Sequence, residues 1–229
     1  MSWYVASLLR SQPAKNGTEH AAQQCQYLIE ARSHDGAYER ALDLGTHSAT
    51  GAQNFVGIVD LLLVHDQLAD GAELLWSESE MTVAEIESRI LRRDDMRAFR
   101  EVPSSNGWYI GNIVLCEVHD EGSHGDRSLV WNNSYLIQAS SAESAYEKAS
   151  QLGKQQQDES GSHRCDGEMA HWEFRGVQDV IPARETPAPG ALLWCNEFVA
   201  TPDKLKEMIP GKSELAVFKW EAEQLQQRS

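Results

Sequence analysis

The sequence predicts an α+β protein made of two tandem repeats, each a four-stranded antiparallel sheet of ββαββ(α) order backed by helices. Two observations lead to this prediction. The segment YLIEARSHDGAYERALDLG at residues 27–45 recurs as YLIQASSAESAYEKASQLG at 135–153, with eleven of nineteen positions identical. Strand-like and helix-like segments also follow one another in the same order around both copies. We therefore place the first repeat at residues 1–105 and the second at 106–229.

Each repeat opens with an aromatic and aliphatic segment that is typical of a strand, WYVASLLR in the first and WYIGNIVL in the second. A second strand then leads into a helix through a serine placed to cap it, Ser33 or Ser141. We expect that helix to end at Gly45 or Gly153, because glycine readily adopts the left-handed conformation found at helix C-termini.

The second half of each repeat is predicted to hold two more strands and a helix. The strands are NFVGIVDLLLVHD and GAELLWSES in the first repeat, and EFRGVQDVIPAR and GALLWCNEF in the second. Thr82 and Thr201 carry the capping signals of the helix, and SELAVFKWEAEQLQQ adds an extra C-terminal helix. This order predicts a permuted ferredoxin-like sheet with strand order 1-2-4-3.

The strand NFVGIVDLLLVH is apolar on both faces, whereas a strand with one solvated face should alternate. A second layer must therefore cover this sheet. We expect the two repeats to pack sheet against sheet as a pseudo-dimer, and a further homodimer remains open.

The composition restricts the partners and the compartment. A net charge of −15 disfavours nucleic acid and anionic membrane surfaces, because both are polyanions. The sequence shows neither a secretory signal nor an apolar run long enough to span a bilayer. We expect a cytoplasmic protein whose cysteines are reduced thiols, since the four have no close pairing: Cys25, Cys116, Cys165 and Cys195.

The opening WY strand, the YLIEA to ALDLG phrase, the F-x-G-x-x-D strand and the DGAELLW turn resemble the bacterial family catalogued as Domain of Unknown Function 4288. The resemblance implies two copies of that small domain and no assigned activity. The second repeat departs from the family pattern after Gly153, with a polar insertion at about residues 154–173.

That insertion, KQQQDESGSHRCDGEMAHWE, holds the candidate metal ligands His163, Cys165 and His171, with Asp166 beside them. Histidine and cysteine are ligands that zinc prefers. The abundance of Gln, Ser and Gly is more typical of a mobile surface loop, which is the alternative interpretation. The sequence has no G-x-S-x-G elbow and no phosphate-binding glycine motif, and we expect no cofactor.

Aromatic residues recur at equivalent positions of the two repeats. We consider six of them candidates for lining a ligand cleft between the two sheets, or else for packing in the cores: Trp3, Tyr4, Trp76, Trp108, Tyr109 and Trp194.

The sequence thus favours a non-catalytic binding or protein-interaction module with an unknown protein or small-molecule partner, for example one that neutralises a basic partner. The absence of a recognisable catalytic constellation supports this hypothesis. The alternative is an enzyme or small-ligand binder that uses the cleft between the two repeats.

Overall fold

The computed structural model describes residues 1–13, 19–47, 53–101, 104–119, 127–165 and 168–219. The described chain forms two compact units, which we call unit 1 (Met1–His65 and Arg184–Ser229) and unit 2 (Asp66–Ala183). Unit 1 contains β1 (Ser2–Pro13), β2 (His20–Ala31), α1 (His34–His47), β3 (Asn54–Val64), β9 (Leu192–Ala200) and α5 (Pro202–Glu207). Unit 2 contains β4 (Glu73–Thr82), α2 (Val83–Arg89), α3 (Arg97–Arg100), β5 (Trp108–His119), β6 (Arg127–Gln138), α4 (Ala142–Ser160), β7 (Ser162–Cys165) and β8 (Glu168–Pro182).

Each unit has one sheet, and every pairing of neighbouring strands is antiparallel. The strand order is β3-β1-β2-β9 in unit 1 and β4-β6-β5-β8-β7 in unit 2. The predicted α+β class with two antiparallel sheets is confirmed. Among the described residues, no helix is both long and apolar enough to span a membrane.

The predicted strand order 1-2-4-3 is wrong, because the fourth strand of each repeat joins the other sheet. Strand β4 of the first repeat pairs with β6 in unit 2, and β9 of the second repeat pairs with β2 in unit 1. Eight residues separate β3 from β4, at 65–72, too many for the tight turn of a hairpin. The compact units therefore do not coincide with the predicted repeats at 1–105 and 106–229.

The long helix of each unit lies against its sheet through small residues. Ala37, Ala41 and Gly45 are buried in α1, and Ala145, Ala149 and Gly153 are buried in α4. The predicted helix ends at the two glycines are wrong, since α1 runs on to His47 and α4 to Ser160. A Cβ at Gly45 would lie 2.4 Å from the Phe55 ring, and one at Gly153 would lie 2.2 Å from the Phe174 ring. The glycines are required for close packing on these rings.

The core of each unit follows from this packing. The apolar side chains under α1 include Tyr4, Tyr27 and Leu215, and those under α4 include Tyr109, Tyr135 and Met96. Shorter helices cover part of the other sheet face: Ile86 of α2 packs on Val114 and Val130, and Leu205 of α5 packs on Leu9 and Ala22. The predicted C-terminal helix falls mostly on residues 220–229, which lie outside the described residues.

The described residues of the insertion, 154–165 and 168–173, form regular secondary structure, so the alternative interpretation as a mobile surface loop is wrong for them. Its first residues extend α4 to Ser160, and Gly161 then reverses the chain at φ 59°. Strand β7 follows and pairs with β8 as the edge of the five-stranded sheet. The polar composition reflects an exposed helix end and an edge strand, whose outward positions face water.

The expectation that all four cysteines are reduced is also wrong. Cys25 and Cys195 form a disulfide at a sequence separation of 170. The two residues are direct partners in the register of β2 and β9, so they meet only because β9 belongs to unit 1. Spacing along the sequence carries no sign of such a pair. Cys116 and Cys165 are not part of a disulfide.

Candidate metal centre

Three neighbouring strands of unit 2 bring polar side chains together at one end of the sheet. Ala170 of β8 pairs with His119 of β5 on one side and with His163 of β7 on the other. The three residues therefore form a row across the sheet and share one face. Because the middle side chain is only a methyl group, space remains above it for the two imidazoles to approach each other.

Alternation along the strands adds two more groups to this face. Glu117 lies two residues before His119 on β5, and Cys165 lies two residues after His163 on β7. Ligand atoms of Glu117, His119 and Cys165 all lie within 4.8 Å of one another. Donors on one four-coordinate zinc ion lie about 3–4 Å apart, so a small adjustment of side chains would bring the three to one ion.

The Glu117 carboxylate is the buried centre of the cluster. Its side chain is 8% exposed, and its two oxygens face different histidines: Oε1 is 2.6 Å from His163 Nε2, and Oε2 is 3.4 Å from His119 Nε2. The shorter distance is a hydrogen bond. A carboxylate at this depth needs a cationic or hydrogen-bonding partner, because burial penalises its charge.

An aromatic wall closes one side of the cluster. Trp172 is the β8 partner of Glu117 and is buried, with its ring stacked on Trp131 at a centroid distance of 3.6 Å. The His163 ring lies nearly parallel to Trp172 at 6.2 Å. Trp131 in turn donates a hydrogen bond from Nε1 to Glu78, at 2.9 Å. The two tryptophan rings therefore lie beside the cluster, although the His163 side chain itself is 36% exposed.

The donor set fits a zinc-class cation. A thiolate and an imidazole are preferred by zinc and its neighbours, whereas magnesium and calcium prefer oxygen ligands alone. If an ion were bound, Glu117, His119 and Cys165 would supply the donor atoms. His163, which lies 2.6 Å from the Glu117 carboxylate, would then orient that ligand, as hydrogen-bond partners of metal ligands commonly do.

The neighbouring Cys116 does not belong to the cluster. It lies on the opposite face of β5, packed with Met81, Ile86 and Val130. Burial raises the pKa of its thiol, which keeps it protonated and unreactive.

Two of the three predicted metal ligands, His163 and Cys165, lie on the shared face. His171 does not, because it falls between Ala170 and Trp172 on β8 and so lies on the opposite face. Asp166 lies outside the described residues. Sequence reasoning missed Glu117 and His119. The available signal was the end of β5, where the inward positions change from apolar Leu115 to two polar residues.

The six candidate cleft aromatics do not form one described site. Tyr4 belongs to the core under α1, and Tyr109 belongs to the core under α4. Trp194 is buried, Trp3 and Trp108 are partly buried, and Trp76 is 53% exposed on the edge strand β4. The positions of the two tyrosines match the core-packing alternative.

Residues 108–194 match the model of a family described as Domain of unknown function (DUF4288). The match runs from the start of β5 into β9 and includes all four residues of the cluster. It agrees with the resemblance seen in the second repeat, whereas the resemblance of the first repeat remains a prediction. No curated protein and no solved structure matches the chain.

Proposed function

We propose that this chain is a non-catalytic binding protein and that unit 2 binds a zinc-class divalent cation. The carrying observation is the convergence of the Glu117, His119 and Cys165 donor atoms within 4.8 Å at the end of the sheet. The partly enclosed position supports the proposal, since desolvation strengthens attraction to a cation. The net charge of −15 also favours a positively charged ligand. The acidic composition also predicts that the chain could bind a basic protein, and that prediction is separate from the metal proposal.

The bound ion would act first as a cross-strand link. Glu117 and His119 belong to the inner strand β5, whereas Cys165 belongs to β7, the edge of the described sheet, which pairs with β8. One ion held by both strands would tie the edge to the interior of the sheet. Metal binding would then stabilise the folded unit, because the unfolded chain does not assemble the ligands.

The test is zinc binding to the full chain, measured by calorimetry and by metal analysis after dialysis. We expect one zinc ion per chain. Replacing a ligand, as in His119→Ala or Cys165→Ser, should weaken binding by at least about tenfold, and the orienting His163→Ala by about tenfold. Circular dichroism of each variant verifies that it is folded.

His171→Ala is the matched control, since it removes a histidine of the same segment from the opposite face of β8. We expect wild-type affinity. The proposal is wrong if the wild type takes up no stoichiometric zinc, or if His171→Ala weakens binding as much as His119→Ala does.

We also propose that the chain arose by tandem duplication, with pairing of the two sheets as a pseudo-dimer. Matching hydrogen bonds support the duplication. Gly71 N–H donates to Leu136 O at 2.8 Å, and Gly190 N–H donates to Leu28 O at 2.7 Å.

Deleting residues 1–105 tests the assembly, since β9 would lose its partner β2. We expect this truncated chain to aggregate or to exchange strands with a second copy.

A further inference from the structure

Unit 1 carries a groove of about 500 Å³ beside the end of β2. Its apolar base is formed by Ile29, Leu44 and Pro189. Polar side chains from α1 lie at its rim, including Arg40 and the pair Asp43 and His47, whose Oδ1 and Nδ1 atoms lie 3.8 Å apart. The groove is independent of the proposed metal centre, which lies in unit 2.

At the counterpart position in unit 2 lies a carboxylate of the chain itself, that of Asp70. Asp70 accepts two hydrogen bonds there, one from Lys148 Nζ at 2.6 Å and one from the backbone N–H of Gln138 at 2.8 Å. Lys148 Nζ also donates to the carbonyl oxygen of Gln138 at 2.6 Å. A cation and a backbone N–H thus hold one carboxylate at the end of β6.

Unit 1 retains a cationic side chain and a backbone N–H at the equivalent positions but has no counterpart of the Asp70 carboxylate. Arg40 takes the place of Lys148 and donates to the carbonyl oxygen of Glu30, the counterpart of Gln138. The Leu28 N–H donates to Ala191, so alternation directs the Glu30 N–H to the same side of β2. At the position of Asp70 stands Pro189, which has no acceptor in its side chain.

We infer that this groove binds the carboxylate of an external ligand that carries an apolar group next to it. The ligand carboxylate takes the position that Asp70 holds in unit 2, receiving hydrogen bonds from the Arg40 guanidinium and the Glu30 N–H. An arginine suits this role better than a lysine, because its planar fork can bind both carboxylate oxygens. The adjoining apolar group then covers Ile29, Leu44 and Pro189.

The test is titration of the full chain with N-acetyl-leucine, followed by NMR at the Glu30 amide and the Arg40 side chain. Its amide, N-acetyl-leucinamide, is the matched ligand without the charge. We expect saturable shifts at both groups with the acid, and binding at least about tenfold weaker with the amide or with Arg40→Ala. A short peptide with a free C-terminal leucine is then compared with N-acetyl-leucine. Tighter binding of the peptide would identify a peptide terminus as the natural ligand, and equal binding would identify a small acid.

Pro189→Asp is the decisive variant, because it rebuilds in unit 1 the internal ion pair of unit 2. We expect it to abolish binding of the acid while leaving the fold intact. Lys148→Ala in unit 2 is the control and should bind as the wild type does. The inference is overturned if the acid produces no shift at Glu30 and Arg40, or if Pro189→Asp binds it with unchanged affinity.

Discussion

Units 1 and 2 share a framework but differ at three sites. In both, a long helix lies on the sheet through two alanines and a glycine, and one edge strand, β9 or β4, comes from the other predicted repeat. Among the described residues, unit 1 alone has a disulfide, which joins β9 to β2, and it has an open groove where unit 2 has the Lys148–Asp70 ion pair. Within the same part of the chain, the Glu117 cluster occurs in unit 2 and depends on β7. The shared features explain folding, and the differences are where function is to be sought.

The largest expected effect is removal of the disulfide. Cys25→Ser with Cys195→Ser should lower the free energy of unfolding by about 2–4 kcal/mol, because the closed loop is long. Hydrogen exchange should show faster opening of β9 and unchanged protection of β4. In unit 2 the positions equivalent to Cys195 and Cys25 are Trp76 of β4 and Asn133 of β6, which pair without a disulfide. A reducing agent should destabilise the wild type and leave the double variant unaffected. Equal loss of protection in both strands would contradict this account.

The shared glycines give the next largest effect. Gly45→Ala or Gly153→Ala should each cost about 1–3 kcal/mol of unfolding free energy, because the new methyl group overlaps a phenylalanine ring. Denaturant titration measures the loss. Adding Phe55→Leu to Gly45→Ala should recover part of it. If either alanine stabilises the protein through its helix propensity, the packing role of that glycine is wrong.

A tyrosine distinguishes the two units at high pH. Tyr135 donates to Glu73 at 2.8 Å, whereas Tyr27 pairs with Leu192 at the equivalent place. Tyr135→Phe should cost about 1.5–2 kcal/mol, the lower part of the usual contribution of a hydrogen bond to a charged group. Tyr27→Phe should cost less.

Burial, the main cause, raises the pKa of Tyr135 above the ordinary tyrosine value of about 10. The folded state then keeps a proton that the unfolded chain releases, so this contribution to stability is complete below pH ~10 and is lost as pH rises further. The free energy of unfolding, measured from about pH 8 to about pH 11, should decline with rising pH, and Tyr135→Phe should reduce that decline. An identical decline in the variant would contradict the assignment.

Helix capping gives the smallest difference. Thr82 accepts from the Glu85 N–H at 3.2 Å, and Glu85 accepts in return from the Thr82 N–H at 2.7 Å. At Thr201 the third residue of the helix is Lys204, which cannot return the bond. Thr82→Ala should therefore cost about 1 kcal/mol and Thr201→Ala about 0.5 kcal/mol. Thermal unfolding of the two variants compares them, and the reverse order would be inconsistent with the reciprocal cap.

Patterns along the chain predicted the strands and helices well, because apolar spacing and caps are local properties. The exchange of β4 and β9 was not predictable in this way, since pairing depends on which strand edge a segment meets. The disulfide and the metal cluster depend on that long-range pairing. Cys195 meets Cys25 only across β2 and β9, and His119 meets Cys165 only across three strands. For the same reason His171, close to the other ligands in sequence, lies on the wrong face.

The most direct test of the central claim is X-ray absorption at the zinc edge of the loaded protein. We predict one sulfur ligand at about 2.3 Å, together with nitrogen and oxygen ligands at about 2.0–2.2 Å. The sulfur signal should disappear in Cys165→Ser and remain in His171→Ala. A zinc environment without sulfur in the wild type, or with sulfur that survives in Cys165→Ser, would contradict the assignment of Glu117, His119 and Cys165 as the ligands.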